Sequence, residues 1–313
     1  MERYNVLIYG AGAVGSYFGG KLFKAGFNTV FVDLPERVAT LREKGLAIQS
    51  GTGKAYEYRP ELVSTLEGLP GQDLILVSVK AYHTSEIALR LLPVLKPSTI
   101  LMSLQNGLEN EEVLSQILGK SLIMGAVPYF NGQLQSDNYV VQNGPAHLIY
   151  GEMDHQQSQR ENWVSQILSH ADINHTISRS INIELWKNYI WNNAFNTISA
   201  LTNTTFGQIL AHNEALSTVR QMMEESQQVA LAEGCEITHQ HIDEIIDFSG
   251  QFTNLKSTMC MDIGLRHKPE LEALVGTLLQ KAKKHGIIVR VNRTIYNLLR
   301  LALTVYNIQL DDK

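Results

Sequence analysis

Apolar positions follow two regimes along the chain. In the first half, short, mostly apolar runs at residues 5–9, 29–32, 73–80, 98–104 and 122–127 alternate with segments of helical periodicity, the first of these over residues 16–25. Runs of this length separated by helices predict a parallel, doubly wound sheet of the α/β class. Residues 139–152 break the pattern with two extended stretches around Asn143-Gly144, which predicts a hairpin turning at that dipeptide. A helix over 157–170 and an extended piece at 173–177 complete this part. From residue 180 the β-branched clusters thin out and a period near 3.6 dominates. Helices are expected over 183–201, 216–233, 239–251, 269–285 and 293–306, with Gly234 and Gly286 as helix stops. The chain therefore divides into an α/β domain, residues 1–179, and an all-helical domain, residues 180–313.

The first apolar run leads straight into Gly10-Ala11-Gly12-Ala13-Val14-Gly15. A G-x-G-x-x-G that follows a strand and opens a helix is a dinucleotide-binding pattern. Gly10 makes the tight turn, Gly12 admits a pyrophosphate to the backbone, and Gly15 lets helix and sheet pack closely. The helix start adds free N–H groups and a positive dipole end. Asp33, at the end of the second strand, stands where a carboxylate meets the ribose hydroxyls, roughly 20 residues on.

Length and charge narrow the partners. The 313 residues, 44% hydrophobic, suffice for two cores, and 26 Lys and Arg against 31 Asp and Glu give −5 with no basic block. Nucleic acid and anionic membranes are not indicated, and no apolar stretch reaches the length of a membrane span. The first strand begins too close to Met1 for a secretory leader, so a cytoplasmic location is expected. Cys235 and Cys260 lack metal or redox spacing, so no metal is expected and both read as buried apolar residues.

Several polar residues stand where a fold alone does not require them. Lys80 and Asn106 follow the carboxyl ends of two strands, the place where open α/β sheets bind ligands, although a solvated lysine and an Asn-Gly turn would look the same. Asn188, Asn192 and Asn196 recur at i, i+4 and i+8, which stacks three amides on one helix face. Asparagine is a mediocre helix former, and a solvated stripe would more often carry Lys and Glu. A polar binding wall explains them better. Thr258, Asp262 and Glu270 read by themselves as helix-cap material.

In this order, the glycine motif, Lys80, Gln105-Asn106-Gly107, the asparagine helix with Trp186, and Thr258-Met259 with Asp262 and Glu270 resemble the ketopantoate reductase family over essentially the whole chain. The resemblance implies a Rossmann-type domain followed by a helical domain like that of 6-phosphogluconate dehydrogenase, with the active site where the two meet. It implies NADPH-dependent reduction of a 2-keto acid to a 2-hydroxy acid, in pantothenate biosynthesis for the best-known members, with a homodimer left open. On the same basis Gly10, Gly12 and Gly15 hold the pyrophosphate, Lys80 and Asn106 lie toward the nicotinamide, Asn192, Asn196 and Thr258 bind substrate, and Glu270 supports a catalytic lysine.

Two positions depart from the family pattern. The lysine that serves as general acid, four residues before the first paired asparagine, is here Asn188, and the nearest lysine is Lys187. Lys187 is the candidate proton donor, but one helical step is a rotation of about 100° away from Asn192 and Asn196. A catalytically impaired dinucleotide-binding relative, or a dehydrogenase of another hydroxy acid, is the alternative reading. The family's arginine for a 2′-phosphate gives way to Asp33, a group that favours NAD(H) over NADP(H), with Arg37 four residues on.

Overall fold

A computed structural model describes residues 4–51, 53 and 55–308, which fall into two compact units: residues 4–105 with 110–181, and residues 106–109 with 182–308. The first unit is built on β1 (Asn5–Tyr9), β2 (Asn28–Val32), β3 (Leu46–Gln49), β4 (Ala55–Tyr58), β5 (Glu61–Val63), β6 (Leu74–Val77), β7 (Ile100–Ser103), β8 (Ile123–Ser136), β9 (Tyr139–Gly151) and β10 (His175–Ile177). Their order is β4-β3-β9-β8-β7-β6-β1-β2-β5, with β10 added on β9. From β8 to β5 neighbours run parallel, whereas β8 and β9 are antiparallel. This is the α/β Rossmann-type arrangement. β1, β6 and β7 occupy its middle, and Leu7, Ile8, Ile75 and Leu101 are completely buried there.

The hairpin differs from the expectation. Its turn lies at Asp137-Asn138, between β8 and β9, and Asn143-Gly144 falls inside β9. Asn-Gly is the stronger local hairpin signal. Here two strands of 14 and 13 residues absorb it through register irregularities between Phe130 and Gly132 and between Leu134 and Ser136. The Phe130 ring lies over Gly132 and against Tyr17 of the first helix, 4.7 Å between ring centroids, which ties the bend to the core. β3, β4 and β5 have no counterpart in the sequence reading, since each has only three or four residues and little alternation.

One acid in this unit is buried. Glu111, in the first turn of the Asn110–Leu118 helix, is 4% exposed, and desolvation pushes its carboxyl up to about 7 from the ordinary 4.5. A raised acid binds its proton more tightly in the folded state, so folding stability declines as pH rises from about 4.5 to about 7 and then levels off. Glu111→Gln is expected to stabilise the protein at pH 8 by up to about 3 kcal/mol, with no gain near pH 4.5. Denaturant titrations at the two pH values check this; an equal effect at both would rule out titration of Glu111 as the cause.

The second unit is helical. The Ile181–Trp191 helix runs through a π-turn, Asn192–Asn196, into Thr197–Thr202, and a second π-turn, Glu272–Gly276, packs against the first. Gly234 and Gly286 take φ of +82° and +67° at helix ends, the left-handed conformation that glycine adopts without strain. Tyr189, Phe195, Met222, Leu271 and Leu303 form the core. The Phe206–Leu210 and Thr258–Gly264 helices were not expected; at five and seven residues they give too few turns for a periodic signal. Among the described residues no helix is long and apolar enough to cross a membrane, and no group of three His, Cys, Asp or Glu could hold a metal ion.

Candidate active site

In the first unit the site starts at the three glycines. Gly10 leaves β1 with φ +103°, and a Cβ there would lie 2.7 Å from Val79 Cγ1. A Cβ on Gly15 would drive into the Gly10 carbonyl oxygen and Ser78 Oγ, so Gly15 is required by close helix–strand packing. Gly12 differs: the nearest atom to an added Cβ is Ser78 O at 4.0 Å. The backbone is therefore open at Gly12, the residue preceding the Ala13–Lys24 helix, where N–H groups lack intrahelical acceptors. This cradle fits a pyrophosphate. Ser78, to which the sequence reading gave no role, holds the loop by donating from Oγ to Gly10 O at 2.8 Å.

Asp33 braces the same loop. Its Oδ2 accepts from Ala11 N at 2.7 Å and its Oδ1 from Leu34 N at 2.8 Å, which leaves lone pairs on both oxygens. Arg37 donates to Ala11 O at 2.9 Å and to Asp137 O at 2.7 Å, with Nε 3.6 Å from Asp33 Oδ2. Its guanidinium is thus held by the glycine loop and the hairpin turn. Asp137 is 100 residues away from Arg37, so no local pattern announces the pair.

The loops at the ends of β6 and β7 are tied by buried side chains. Lys80 follows β6 and opens the short turn Ala81–His83. After β7, Ser103 Oγ donates to Gln105 Oε1 at 3.1 Å and Gln105 Nε2 donates to Thr84 Oγ1 at 3.0 Å, which ties the two strand-end loops together. Asn106 belongs to the second unit, where its Nδ2 lies 3.5 Å from Glu270 Oε2, at the long limit for a hydrogen bond.

The three asparagines form a ladder. Asn192 Nδ2 donates to the backbone oxygen of Asn188 at 2.9 Å and to its Oδ1 at 3.1 Å, and Asn196 Nδ2 donates to Asn192 Oδ1 at 2.8 Å. At 8%, 4% and 3% exposure for Asn188, Asn192 and Asn196, this face is not a solvated one. The π-turn that spans Asn192–Asn196 is a device that often accompanies functional sites.

Lys187 is not brought to the ladder. It lies on the regular part of its helix, and its Nζ pairs with Glu244 Oε2 at 3.2 Å on the His239–Ser249 helix. The π-turn begins five residues later, so it does not rotate Lys187 toward Asn192.

The remaining candidates lie nearby in the second unit. Thr258 is exposed at the first position of the Thr258–Gly264 helix. Ser257 before it is buried; its Oγ donates to Asn196 O at 3.0 Å and accepts from Cys260 N at 3.0 Å. Ser257 thus joins the end of the ladder to the Thr258 segment, a role hidden in the sequence because a serine before a helix already serves as an N-cap. Glu270 is buried at the start of the helical run that contains the second π-turn.

Known proteins match this arrangement along the chain. The family described as Ketopantoate reductase PanE/ApbA matches residues 6–155, and Ketopantoate reductase PanE/ApbA C terminal matches residues 180–302. A 2-dehydropantoate 2-reductase from Archaeoglobus fulgidus is 30% identical, over 96% of this chain and 98% of its own length. The chain belongs to the ketopantoate reductase family. It is a nicotinamide-dependent oxidoreductase that reduces a 2-keto acid to a 2-hydroxy acid. Among solved structures, a ketopantoate reductase family member from Ralstonia eutropha JMP134 superposes with TM-score 0.88 at 27% identity, covering 97% of this chain and 99% of that one. D-mandelate dehydrogenase in a ternary structure with NADH and anilino(oxo)acetate shares the fold at TM-score 0.90 and 19% identity, over 97% of this chain and 100% of that one. As a ketopantoate reductase family member, the chain carries an asparagine ladder in which position 188 is an amide.

Proposed function

We propose that this ketopantoate reductase family member uses NADH to reduce a branched 2-keto acid of the 2-dehydropantoate class, as the Archaeoglobus fulgidus relative is named for. The observation that carries the cofactor choice is Asp33: a carboxylate with spare lone pairs beside the glycine loop accepts from ribose hydroxyls and repels a 2′-phosphate. Arg37 offers little counterweight, because its guanidinium is already engaged by two backbone oxygens. When bound, the cofactor supplies hydride.

The chain's own residues have separate tasks. Gly10, Gly12 and Gly15 shape the phosphate cradle, and Lys80 and Asn106 orient the nicotinamide end. Asn192 and Asn196, with the Thr258 hydroxyl, hold the polar groups of the substrate. Glu270 accepts from the Asn106 amide and helps to orient it. Lys187 supports the helix through Glu244. A place in pantothenate synthesis goes with this substrate class.

The test is loss of absorbance at the reduced-nicotinamide band with NADH and with NADPH against a panel of branched 2-keto acids. Turnover with NADH at least tenfold above NADPH is the expected result, and no turnover with any acid removes the reading. Asp33→Ser is expected to lower the NADH preference at least tenfold by relieving repulsion of the 2′-phosphate, at the cost of one brace on Ala11 N. An unchanged ratio of kcat/KM values for the two cofactors would show that Asp33 does not select between them.

A further inference from the structure

The asparagine ladder has a direction, and that direction leaves one donor over. Asn192 Nδ2 lies 2.9 Å from the Asn188 backbone oxygen, an atom that can only accept. This fixes the Asn192 amide with nitrogen toward Asn188 and oxygen toward Asn196. Asn196 must then donate through Nδ2, at 2.8 Å, and Asn188 must accept through Oδ1, at 3.1 Å. Both hydrogens of Asn192 Nδ2 are used inside the ladder. Those of Asn188 Nδ2 are not: among the described residues it has no hydrogen-bond partner, and it is not sealed from solvent as the orphaned Asn193 Oδ1 is. A backbone carbonyl thus turns the Asn188 amide so that its two N–H groups point away from Asn192.

The chemistry at this end of the ladder is that of a neutral donor. Lys187, the adjacent cation in sequence, is drawn off to Glu244. A carboxylate calls for a cation, whereas a carbonyl oxygen that begins neutral and gains charge during reaction is suited by a fixed N–H dipole. Resting on the keto acid reading above, we propose that Asn188 Nδ2 binds the keto oxygen of the substrate and stabilises it as it becomes an alkoxide, without supplying the proton. In the reduction the C=O π bond breaks as hydride adds to carbon, and its electron pair passes to oxygen. The alkoxide then takes a proton from water, leaving hydroxide. Asn188 keeps its own hydrogens throughout.

Two variants of near-identical shape test this. Asn188→Leu removes the amide. Asn188→Asp retains an oxygen to accept from Asn192 and replaces the spare NH2 by oxygen, so the ladder is kept while the donor is lost. Both are expected to lower kcat/KM on the order of 10²-fold. Both are also expected to weaken the dead-end complex of a 2-keto acid with the oxidised cofactor, measured by calorimetry, while affinity for the cofactor alone is unchanged. Circular dichroism melting checks that the ladder helix persists. If Asn188→Asp melts like the parent protein and matches it in kcat/KM and in dead-end affinity, the proposal is overturned. Failure of the underlying keto acid reading looks different: the parent protein itself then turns over no 2-keto acid and forms no dead-end complex, and both conclusions fall.

Discussion

Gly15→Ala is expected to abolish measurable binding of a nicotinamide dinucleotide and to destabilise the first unit by about 3 kcal/mol, at the upper end of overpacking costs. The added methyl collides with the Gly10 carbonyl and Ser78 Oγ, one of them backbone, so relief requires the helix to move off the strand. That movement displaces the helix start and its N–H groups. Gly12→Ala provides the contrast. With the nearest atom at 4.0 Å, its methyl fits the protein without strain, so melting stays near that of the parent while cofactor affinity falls at least tenfold, because only a bound pyrophosphate needs that space. Thermal melts and cofactor titrations of the two variants check the pair. Equal loss of stability in both would show that Gly12 is also a packing residue and would weaken the assignment of the cradle.

The second large effect concerns the middle of the ladder. Asn192→Leu leaves the Asn188 Oδ1 and the Asn196 Nδ2 each without the partner it now has. Each unmet group costs about 1–3 kcal/mol when buried. Loss of substrate orientation should lower kcat/KM by about 10²- to 10³-fold, the range seen when one positioned donor is removed. Asn192→Asp sharpens the test. It still accepts from Asn196, but its oxygens face the Asn188 carbonyl, so acceptor meets acceptor. It should be as damaging as leucine in spite of its shape. Denaturant unfolding and steady-state kinetics measure the two losses separately. If Asn192→Asp retains parental kcat/KM, the direction assigned to the ladder is wrong.

Much of the site was legible because its signals are local. The spacing of Gly10, Gly12 and Gly15 states where a backbone must be thin, and the i, i+4, i+8 spacing of Asn188, Asn192 and Asn196 states which face of a helix is polar. What failed failed for reasons of range. Asn143-Gly144 is a strong turn signal by itself, yet the long pairing of β8 with β9 placed the turn at Asp137-Asn138, because two long strands that pair on both sides of an irregularity outweigh one favourable dipeptide. Ser257 passed for an ordinary cap since its second partner, the Asn196 carbonyl, is 61 residues away.

The sequence by itself determined the division into an α/β part and a helical part, the strand–turn–helix around Gly10, Gly12 and Gly15 and the shared face of the three amides, all consequences of backbone sterics and helical period. Only the tertiary structure decided which atoms of those groups are committed. Glu244, 57 residues from Lys187, takes the ammonium; Asp137 takes Arg37; the Asn188 carbonyl orients the ladder. Periodicity assigns a residue to a face, but the partner that a hydrogen-bonding atom meets there depends on chain brought in from far along the sequence.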